Sequence, residues 1–291
     1  MNPIAYHFNC PDWRIKIDYL MDILKSKITY FHKGNHKLEI LICNSKNKPD
    51  ITQQSLEILN YPYIWLGKGI EWKYNTLKIR LFLDYLKKSQ SKYVMGLDGS
   101  DVVVIDNPEI ILERYLKYYG DKKLVFASEL TSFPKYYKWQ EEVFSNNSMI
   151  AKTNLGSTEL YRYNWPSNKL KNNKYCFLNA GCWIGERKYI IKFFELIEKY
   201  IGMKSEQTYV QEAFARTFPN TWIDNRCILF QCMVCCDESE IKHMLNKEDI
   251  LICKENYKSK FKIMENEKWN YFIFTIFIII ILASFLYYIM I

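Results

Sequence analysis

Two acidic residues, Asp98 and Asp101, stand close together directly after an apolar run, within the segment Leu97–Val102. Hard divalent cations prefer oxygen ligands, and carboxylates on a short turn can hold Mn²⁺ or Mg²⁺ while a pyrophosphate supplies further oxygens. The pattern therefore predicts a metal-binding turn. Taken alone, the pair also fits a solvated turn in which an aspartate caps the chain.

Strands and helices alternate around this turn. Asp50 can cap a helix and Pro108 can open one. The alternation predicts a parallel, doubly wound sheet, and such sheets bind ligands at the carboxyl ends of their strands. The predicted strands are Lys37–Cys43, Tyr63–Leu66, Tyr93–Leu97, Val102–Ile105 and Leu124–Ala127, and the predicted helices are 13–27, 51–59, Asn75–Lys88 and Pro108–Tyr118.

The composition excludes some classes of protein. With 49% hydrophobic and 25% charged residues, the chain is neither largely disordered nor collagen-like. The formal net charge of +8 suits anionic partners such as nucleotides, nucleic acid or lipid headgroups and selects none of them. No motif supports nucleic acid beyond this charge and scattered aromatics, so we expect no nucleic-acid partner.

The nine cysteines are an odd number, which excludes complete internal disulfide pairing. Cys232, Cys235 and Cys236, with Cys227 and His243, suggest zinc but lack a clean second pair of ligands. Buried thiols are the favoured interpretation.

The segment Tyr271–Ile291 contains no charged residue. As a helix it would span about 30 Å, the thickness of a bilayer core. It therefore predicts a single-pass C-terminal transmembrane helix at 269–291, with a buried core helix as the alternative. The lysine-rich segment before it predicts that the main domain faces the cytosol.

Several further motifs keep a characteristic order and spacing around the acidic turn. They are Leu66–Trp72, Lys78–Arg80, Ala127–Leu130, Phe177–Gly185, Gln211 and Asp224–Gln231. Together they resemble the glycosyltransferase domain of procollagen lysyl hydroxylases and, more distantly, the procollagen galactosyltransferases. The resemblance runs from about Lys37 to about Lys260.

This resemblance implies a GT-A-like (Rossmann-like) α/β fold, with a mostly parallel sheet flanked by helices, and Mn²⁺ or Mg²⁺ as cofactor. The expected domains are an N-terminal helical extension (1–36), a glycosyltransferase-like domain (37–266) and the transmembrane anchor (269–291). The implied donor is UDP-glucose or UDP-galactose. The implied acceptor is a hydroxyl group on a protein or glycan, such as a hydroxylysine-linked one.

The resemblance also implies roles for residues that bind the donor. Asp98 and Asp101 match the metal-binding acids of the family. Trp72 matches an aromatic near the uridine, although a core aromatic is the alternative. Lys78 matches a basic position that could contact phosphate, against the alternative of a solvated helix lysine.

Three residues match positions near the transferred sugar. Glu129 could orient the sugar or acceptor, or be a strand-end surface acid. In the Leu-Asn-Ala-Gly turn, Asn179 could hydrogen-bond sugar hydroxyls, and Gly181 allows close approach of the backbone. We therefore expect Glu129 and Asn179 to be catalytic, and Asn179 and Gly181 to bind the donor.

Several positions depart from the family pattern. The family's third metal ligand is a histidine, and Cys253 stands at the matching position. Tyr209 and Val210 replace a pair of adjacent acids, with Glu206 and Glu212 nearby. The leading hypothesis is thus a membrane-anchored, metal-dependent glycosyltransferase, and the alternative is a catalytically degenerate, membrane-tethered module that binds a nucleotide sugar or a protein.

Overall fold

The computed structural model describes residues 4–7, 20–22, 24–25, 36–129, 149–152, 160–163, 177–203 and 205–232. All of them belong to one compact unit that extends to Cys236. Within these ranges the chain is a mixed α/β protein with a central sheet flanked by helices. This agrees with the α/β class expected from the alternation of strands and helices.

The strands are β1 (Ala5–His7), β2 (Leu38–Cys43), β3 (Ile64–Leu66), β4 (Tyr93–Asp98), β5 (Val102–Val104), β6 (Leu124–Glu129), β7 (Met149–Lys152), β8 (Leu160–Tyr163), β9 (Phe177–Glu186), β10 (Thr221–Ile223) and β11 (Phe230–Cys232). The central sheet has six strands in the order β10-β6-β9-β4-β2-β3. Strands β7 and β8 form a separate antiparallel pair.

The helices are α1 (Ile51–Ile58), α2 (Leu77–Leu86), α3 (Pro108–Tyr119), α4 (Arg187–Glu195) and α5 (Glu206–Thr217), with a 3₁₀ turn at Glu198–Tyr200. Their starts follow the sequence signals. Asp50 accepts from Ile51 N in a capping box with Gln53, and Pro108 occupies the first turn of α3 behind the Asn107 cap. Residues 20–22 and 24–25 are also helical.

Helices cover both faces of the sheet because side chains alternate along each strand. On β4, Val94 joins the core cluster to which α2, α4 and α5 contribute, whereas Tyr93 makes an edge-on contact with Tyr115 of α3. The sheet is therefore buried on both sides, which explains the nearly continuous apolar runs of its central strands.

Strand β9 is the exception to the parallel arrangement. It runs antiparallel to both β4 and β6, while the remaining neighbours in the six-stranded sheet are parallel. The parallel sheet expected from alternation thus contains one antiparallel central strand, and its other strand pairs are parallel, in line with the mostly parallel sheet expected. Gly96 permits the close packing, since a Cβ there would lie 2.1 Å from the Trp183 ring.

A second sheet of three strands, in the order β11-β1-β5, lies next to the acidic turn because β5 follows that turn directly. Strand β1 pairs in parallel with β11 and antiparallel with β5. The expected boundary at residue 36 therefore needs correction. Ala5–His7 is a buried strand of the same compact unit rather than part of a separate helical extension.

Other expected segments agree closely with the structure. The strands and helices predicted between residues 37 and 127 all form, with ends that shift by a few residues. Among the described residues, no helix is both long and apolar enough to cross a bilayer. The predicted transmembrane helix at 269–291 lies outside those residues.

Candidate metal centre

The acidic turn between β4 and β5 is fixed by side chains from neighbouring elements. The Thr52 hydroxyl on α1 donates to Asp98 O at 2.7 Å and accepts from Val102 N at 3.3 Å, so it joins the two ends of the turn. Asn44, just after β2, donates from Nδ2 to Gly99 O at 3.0 Å. These bonds define the backbone that carries the two aspartates, which is the preorganisation that a metal site requires.

His7 is brought to this turn by strand pairing. In the antiparallel pair of β1 and β5, His7 lies opposite Val102, the residue that follows Asp101 in the sequence. Its Nε2 atom lies 3.4 Å from Asp101 Oδ2 and 3.7 Å from Asp98 Oδ2. One imidazole and two carboxylates therefore face one another, with one ligand atom of each within 4.8 Å of the others.

The charged side chains of this cluster shift one another's pKa values. Burial lowers the pKa of His7, but attraction to Asp101 and Asp98 outweighs it and raises the pKa to about 9. Burial raises the pKa of Asp101, yet the opposite charge of His7 produces a net lowering. Without a metal, a protonated His7 thus balances part of the charge of the two carboxylates, and as a metal ligand it would give up its Nε2 proton.

The residues of this cluster fit a divalent cation. His7 Nε2 is buried and makes no hydrogen bond with any described residue. A cation about 2.1 Å from each ligand atom would hold those atoms roughly 3–4 Å apart, close to the separations seen. Gly181 keeps the space open, because a Cβ there would lie 2.5 Å from His7 Cε1 and 2.9 Å from Asp98 Oδ2.

Lys78 on α2 neutralises the other side of Asp98. Its Nζ donates to Asp98 Oδ1 at 2.5 Å and lies 2.8 Å from Glu206 Oε2 on α5. Burial lowers the pKa of Lys78, but the two carboxylates raise it overall. Lys78 is therefore a buried bridge between two acids rather than a solvated helix lysine, and it would reach a phosphate only by exchanging one of these partners.

Glu129 and Asn179 come together at the ends of β6 and β9. Asn179 donates from Nδ2 to Glu129 Oε2 at 3.1 Å, and its Oδ1 accepts from Gly181 N at 2.9 Å. Glu129 is buried, and its charge contributes to the raised pKa of His7. The two residues predicted to be catalytic thus contact each other and adjoin the metal centre, although Glu129 is not the surface acid that was the alternative.

Gln207 on α5 supports this pair. Its Oε1 accepts from Ala180 N at 2.7 Å, and its Nε2 donates to Glu129 Oε1 at 3.2 Å and to Leu178 O at 2.5 Å. Adjacent residues of α5, Glu206 and Gln207, therefore hold Lys78 and Glu129. Sequence reasoning missed Gln207, because an isolated glutamine at the start of a helix carries no recognisable signal.

Trp72 and Cys253 are the remaining predicted site residues. Trp72 is half-buried against the core cluster, and its Nε1 donates to Asn75 Oδ1 at 3.1 Å. It does not join the cluster around Asp98. Cys253 lies outside the described residues, and the candidate nitrogen ligand among the described residues is His7, which sequence reasoning missed. Cys232 is buried, as expected for a core thiol, and it contacts His7.

The fold and site define a mixed α/β domain with a candidate divalent-cation centre at the carboxyl end of a central strand. No family model matches the chain. It is 26% identical over 194 residues to Uncharacterized protein R699 of Acanthamoeba polyphaga mimivirus, a match that covers 63% of this chain and 36% of that protein. The chain thus matches about a third of its relative's length.

Two solved structures are similar at low TM-scores. A197 from STIV has a TM-score of 0.30 and 17% identity, covering 54% of this chain and 68% of that one. The 4-diphosphocytidyl-2C-methyl-D-erythritol synthase from Anaerococcus prevotii has a TM-score of 0.34 and 12% identity, covering 76% of this chain and 98% of that one.

Proposed function

We propose that this chain is a metal-dependent transferase that moves glucose or galactose from a UDP-sugar to a hydroxyl group of a protein or glycan, such as a hydroxylysine-linked acceptor. The observation that carries the proposal is the convergence of His7 Nε2 with the carboxylates of Asp98 and Asp101 at the carboxyl end of β4. Ligands of parallel α/β sheets bind at this end of the strands.

The charges of the centre favour a metal-bound diphosphate. The four acidic side chains of Asp98, Asp101, Glu206 and Glu129 outnumber the two basic ones, Lys78 and His7, so without a metal the site disfavours anions. A divalent cation would supply Lewis acidity and offset the charge that develops on a UDP leaving group. His7, Asp98 and Asp101 would hold that cation, and Lys78 would keep the Asp98 carboxylate oriented.

The donor sugar would lie beside Glu129 and Asn179. Glu129 is close enough to His7 for its negative charge to raise the pKa of the imidazole. Asn179 lies two residues before Gly181, which borders His7 and Asp98. Glu129 and Asn179 together offer acceptor and donor atoms to sugar hydroxyls, and Gln207 fixes their orientation. Trp72 remains half exposed, as a stacking surface for the base would require.

A second candidate is a catalytically degenerate module that binds a nucleotide sugar or a protein. The stacking of Tyr209 on Tyr200, with ring centroids 4.2 Å apart, favours it. Tyr209 replaces one of the family's paired acids and packs against the core cluster, so it offers no carboxylate to the site. In this case the metal centre would bind UDP without turnover.

The experiment that separates the two candidates measures UDP release from UDP-glucose and UDP-galactose by the full chain in detergent, over a Mn²⁺ series. The transferase predicts release that requires Mn²⁺ and falls in Glu129→Gln, while UDP binding by calorimetry persists in that variant. Binding of UDP with no release in either protein would favour the module. Absence of Mn²⁺-dependent UDP binding would contradict both.

Membrane anchorage is a separate part of the proposal and rests on the uncharged segment Tyr271–Ile291. The full chain should stay with membranes after carbonate washing, and truncation after Lys268 should release it. Protease added outside sealed cytosolic-side-out vesicles should digest the main domain. Release of the full chain by carbonate would contradict an anchor.

A further inference from the structure

Cys232 lies directly behind the imidazole of His7. Its Sγ atom is 3.6 Å from His7 Nδ1, and both side chains are buried. The contact follows from the sheet, because His7 and Cys232 are partners in the parallel pairing of β1 and β11. The two nitrogens of the ring therefore face different groups, with sulfur behind Nδ1 and two carboxylates in front of Nε2.

We infer that Cys232 is a positioning residue, which holds His7 with its Nε2 lone pair towards the cation and thereby makes the site prefer Mn²⁺ to Mg²⁺. The inference rests on the proposed metal centre. A neutral imidazole carries one proton, and coordination through Nε2 requires that proton on Nδ1. In that tautomer Nδ1–H would donate to Cys232 Sγ, which lies 3.6 Å away, and this contact would fix the plane of the ring.

The preference between metals follows from the chemistry of the ligands. Mg²⁺ favours oxygen and keeps much of its water, so Asp98 and Asp101 hold it with little help from an imidazole. Mn²⁺ gains more from a nitrogen ligand. A misoriented His7 should therefore weaken Mn²⁺ binding more than Mg²⁺ binding, whereas general damage to the fold would weaken both alike.

The test is calorimetric titration of the full chain in detergent with Mn²⁺ and, separately, with Mg²⁺. Cys232→Ala removes the acceptor, and Cys232→Ser keeps one. Cys182→Ala is the matched control, because Cys182 is an equally buried thiol near the same two aspartates, on β9 of the six-stranded sheet. Cys232→Val fills the space without an acceptor and provides the same comparison if the alanine variant fails to fold.

We expect Cys232→Ala to bind Mn²⁺ about 10-fold more weakly or worse, as removal of other outer-sphere partners does, with a smaller change for Mg²⁺. Cys232→Ser should retain most of the preference, and Cys182→Ala should retain all of it. An unchanged Mn²⁺-to-Mg²⁺ ratio in Cys232→Ala, or an equal loss for both cations, would overturn the inference alone. Failure of the wild type to bind Mn²⁺ would overturn the proposed metal centre as well.

Discussion

His7 Nε2 lies 3.4 Å from Asp101 Oδ2, although His7 belongs to β1 and Asp101 follows β4, about ninety residues later in the sequence. The short sheet β11-β1-β5 creates this contact, because His7 pairs with Val102, the residue after Asp101. A three-residue strand thus completes a cluster that the local sequence of the acidic turn begins.

The bridge formed by Lys78 predicts a large effect on stability. Lys78→Met leaves Asp98 and Glu206 without their shared cation, and breaking a buried pair in this way costs about 3–5 kcal/mol. Lys87→Met is the control, because Lys87 is half exposed and its pair with Glu195 should contribute less than about 1 kcal/mol. Urea unfolding measures both.

The same bridge predicts non-additivity. In Lys78→Met/Glu206→Gln one of the orphaned carboxylates is gone, so the double variant should be more stable than Lys78→Met alone. If Lys78→Met and Lys87→Met lose the same unfolding free energy, the buried bridge of Lys78 contributes no more to stability than the exposed pair of Lys87.

Glu206 predicts a dependence of stability on pH. Burial, with the nearby Asp98, raises the pKa of Glu206 from 4.5 to about 7 despite the opposing charge of Lys78. The folded state therefore binds a proton that the unfolded state lacks between these values. The free energy of unfolding that Glu206 contributes should be greatest below pH 4.5 and fall as the pH rises through 7.

Glu206→Gln, which resembles the protonated acid, should lose this dependence. The measurement is the difference in unfolding free energy between wild type and Glu206→Gln at several values from pH 5 to 8, in which contributions of other groups largely cancel. Wild type should lose stability relative to the variant as the pH rises. A constant difference would contradict the raised pKa.

Much of the fold could be predicted from local patterns. Apolar runs bounded by turn residues identified β2 to β6, and Asp50 and Pro108 marked true helix starts. The direction of β9 could not be predicted in this way, since an apolar run has the same pattern in either direction. In the antiparallel arrangement the ring of Trp183 lies over Gly96, its partner on β4.

The site was predictable only in part, for a similar reason. Asp98 and Asp101 stand together in sequence after an apolar run, so their chemistry shows locally. His7 is an isolated histidine whose role depends on pairing with β5 and β11, distant segments of the chain. Its only sequence signal was the short apolar run Ile4–Tyr6, which precedes it and is buried in the structure.

A substitution at Gly181 provides a steric test of the candidate metal centre. A methyl group at this position would crowd His7 Cε1 and Asp98 Oδ2, at 2.5 and 2.9 Å from the new Cβ. Gly181→Ala should therefore displace the ligands and weaken Mn²⁺ binding at least about 10-fold, by analogy with the loss of a supporting contact. Calorimetry gives the affinity, and circular dichroism checks the fold. Wild-type affinity in a folded variant would show that the centre lies elsewhere.

Asp224 holds the turn before β11, and we expect this turn to affect Mn²⁺ binding at the candidate metal centre. Its carboxylate accepts from Ile228 N, Leu229 N and Phe230 N, and this turn leads into β11, the partner of β1. Asp224→Asn leaves backbone donors unsatisfied, at a cost of about 2–4 kcal/mol, and should weaken Mn²⁺ binding by loosening the support of His7.

Tyr119→Phe is the matched control for this link. It removes one hydroxyl that donates to Asp224 Oδ1 at 2.7 Å and leaves the backbone bonds intact. The expected cost is about 1 kcal/mol, with Mn²⁺ affinity unchanged. Similar Mn²⁺ affinities in Asp224→Asn and Tyr119→Phe would mean that β11 does not support the site.

The binding of one divalent cation by His7, Asp98 and Asp101 together is the proposal on which the function depends. Its most direct test is Mn²⁺ titration of the full chain in detergent by electron paramagnetic resonance, comparing wild type with His7→Gln and Asp101→Asn. We expect one site in the wild type and an affinity at least about 10-fold lower in each variant. Wild-type Mn²⁺ affinity in both folded variants would contradict the proposal.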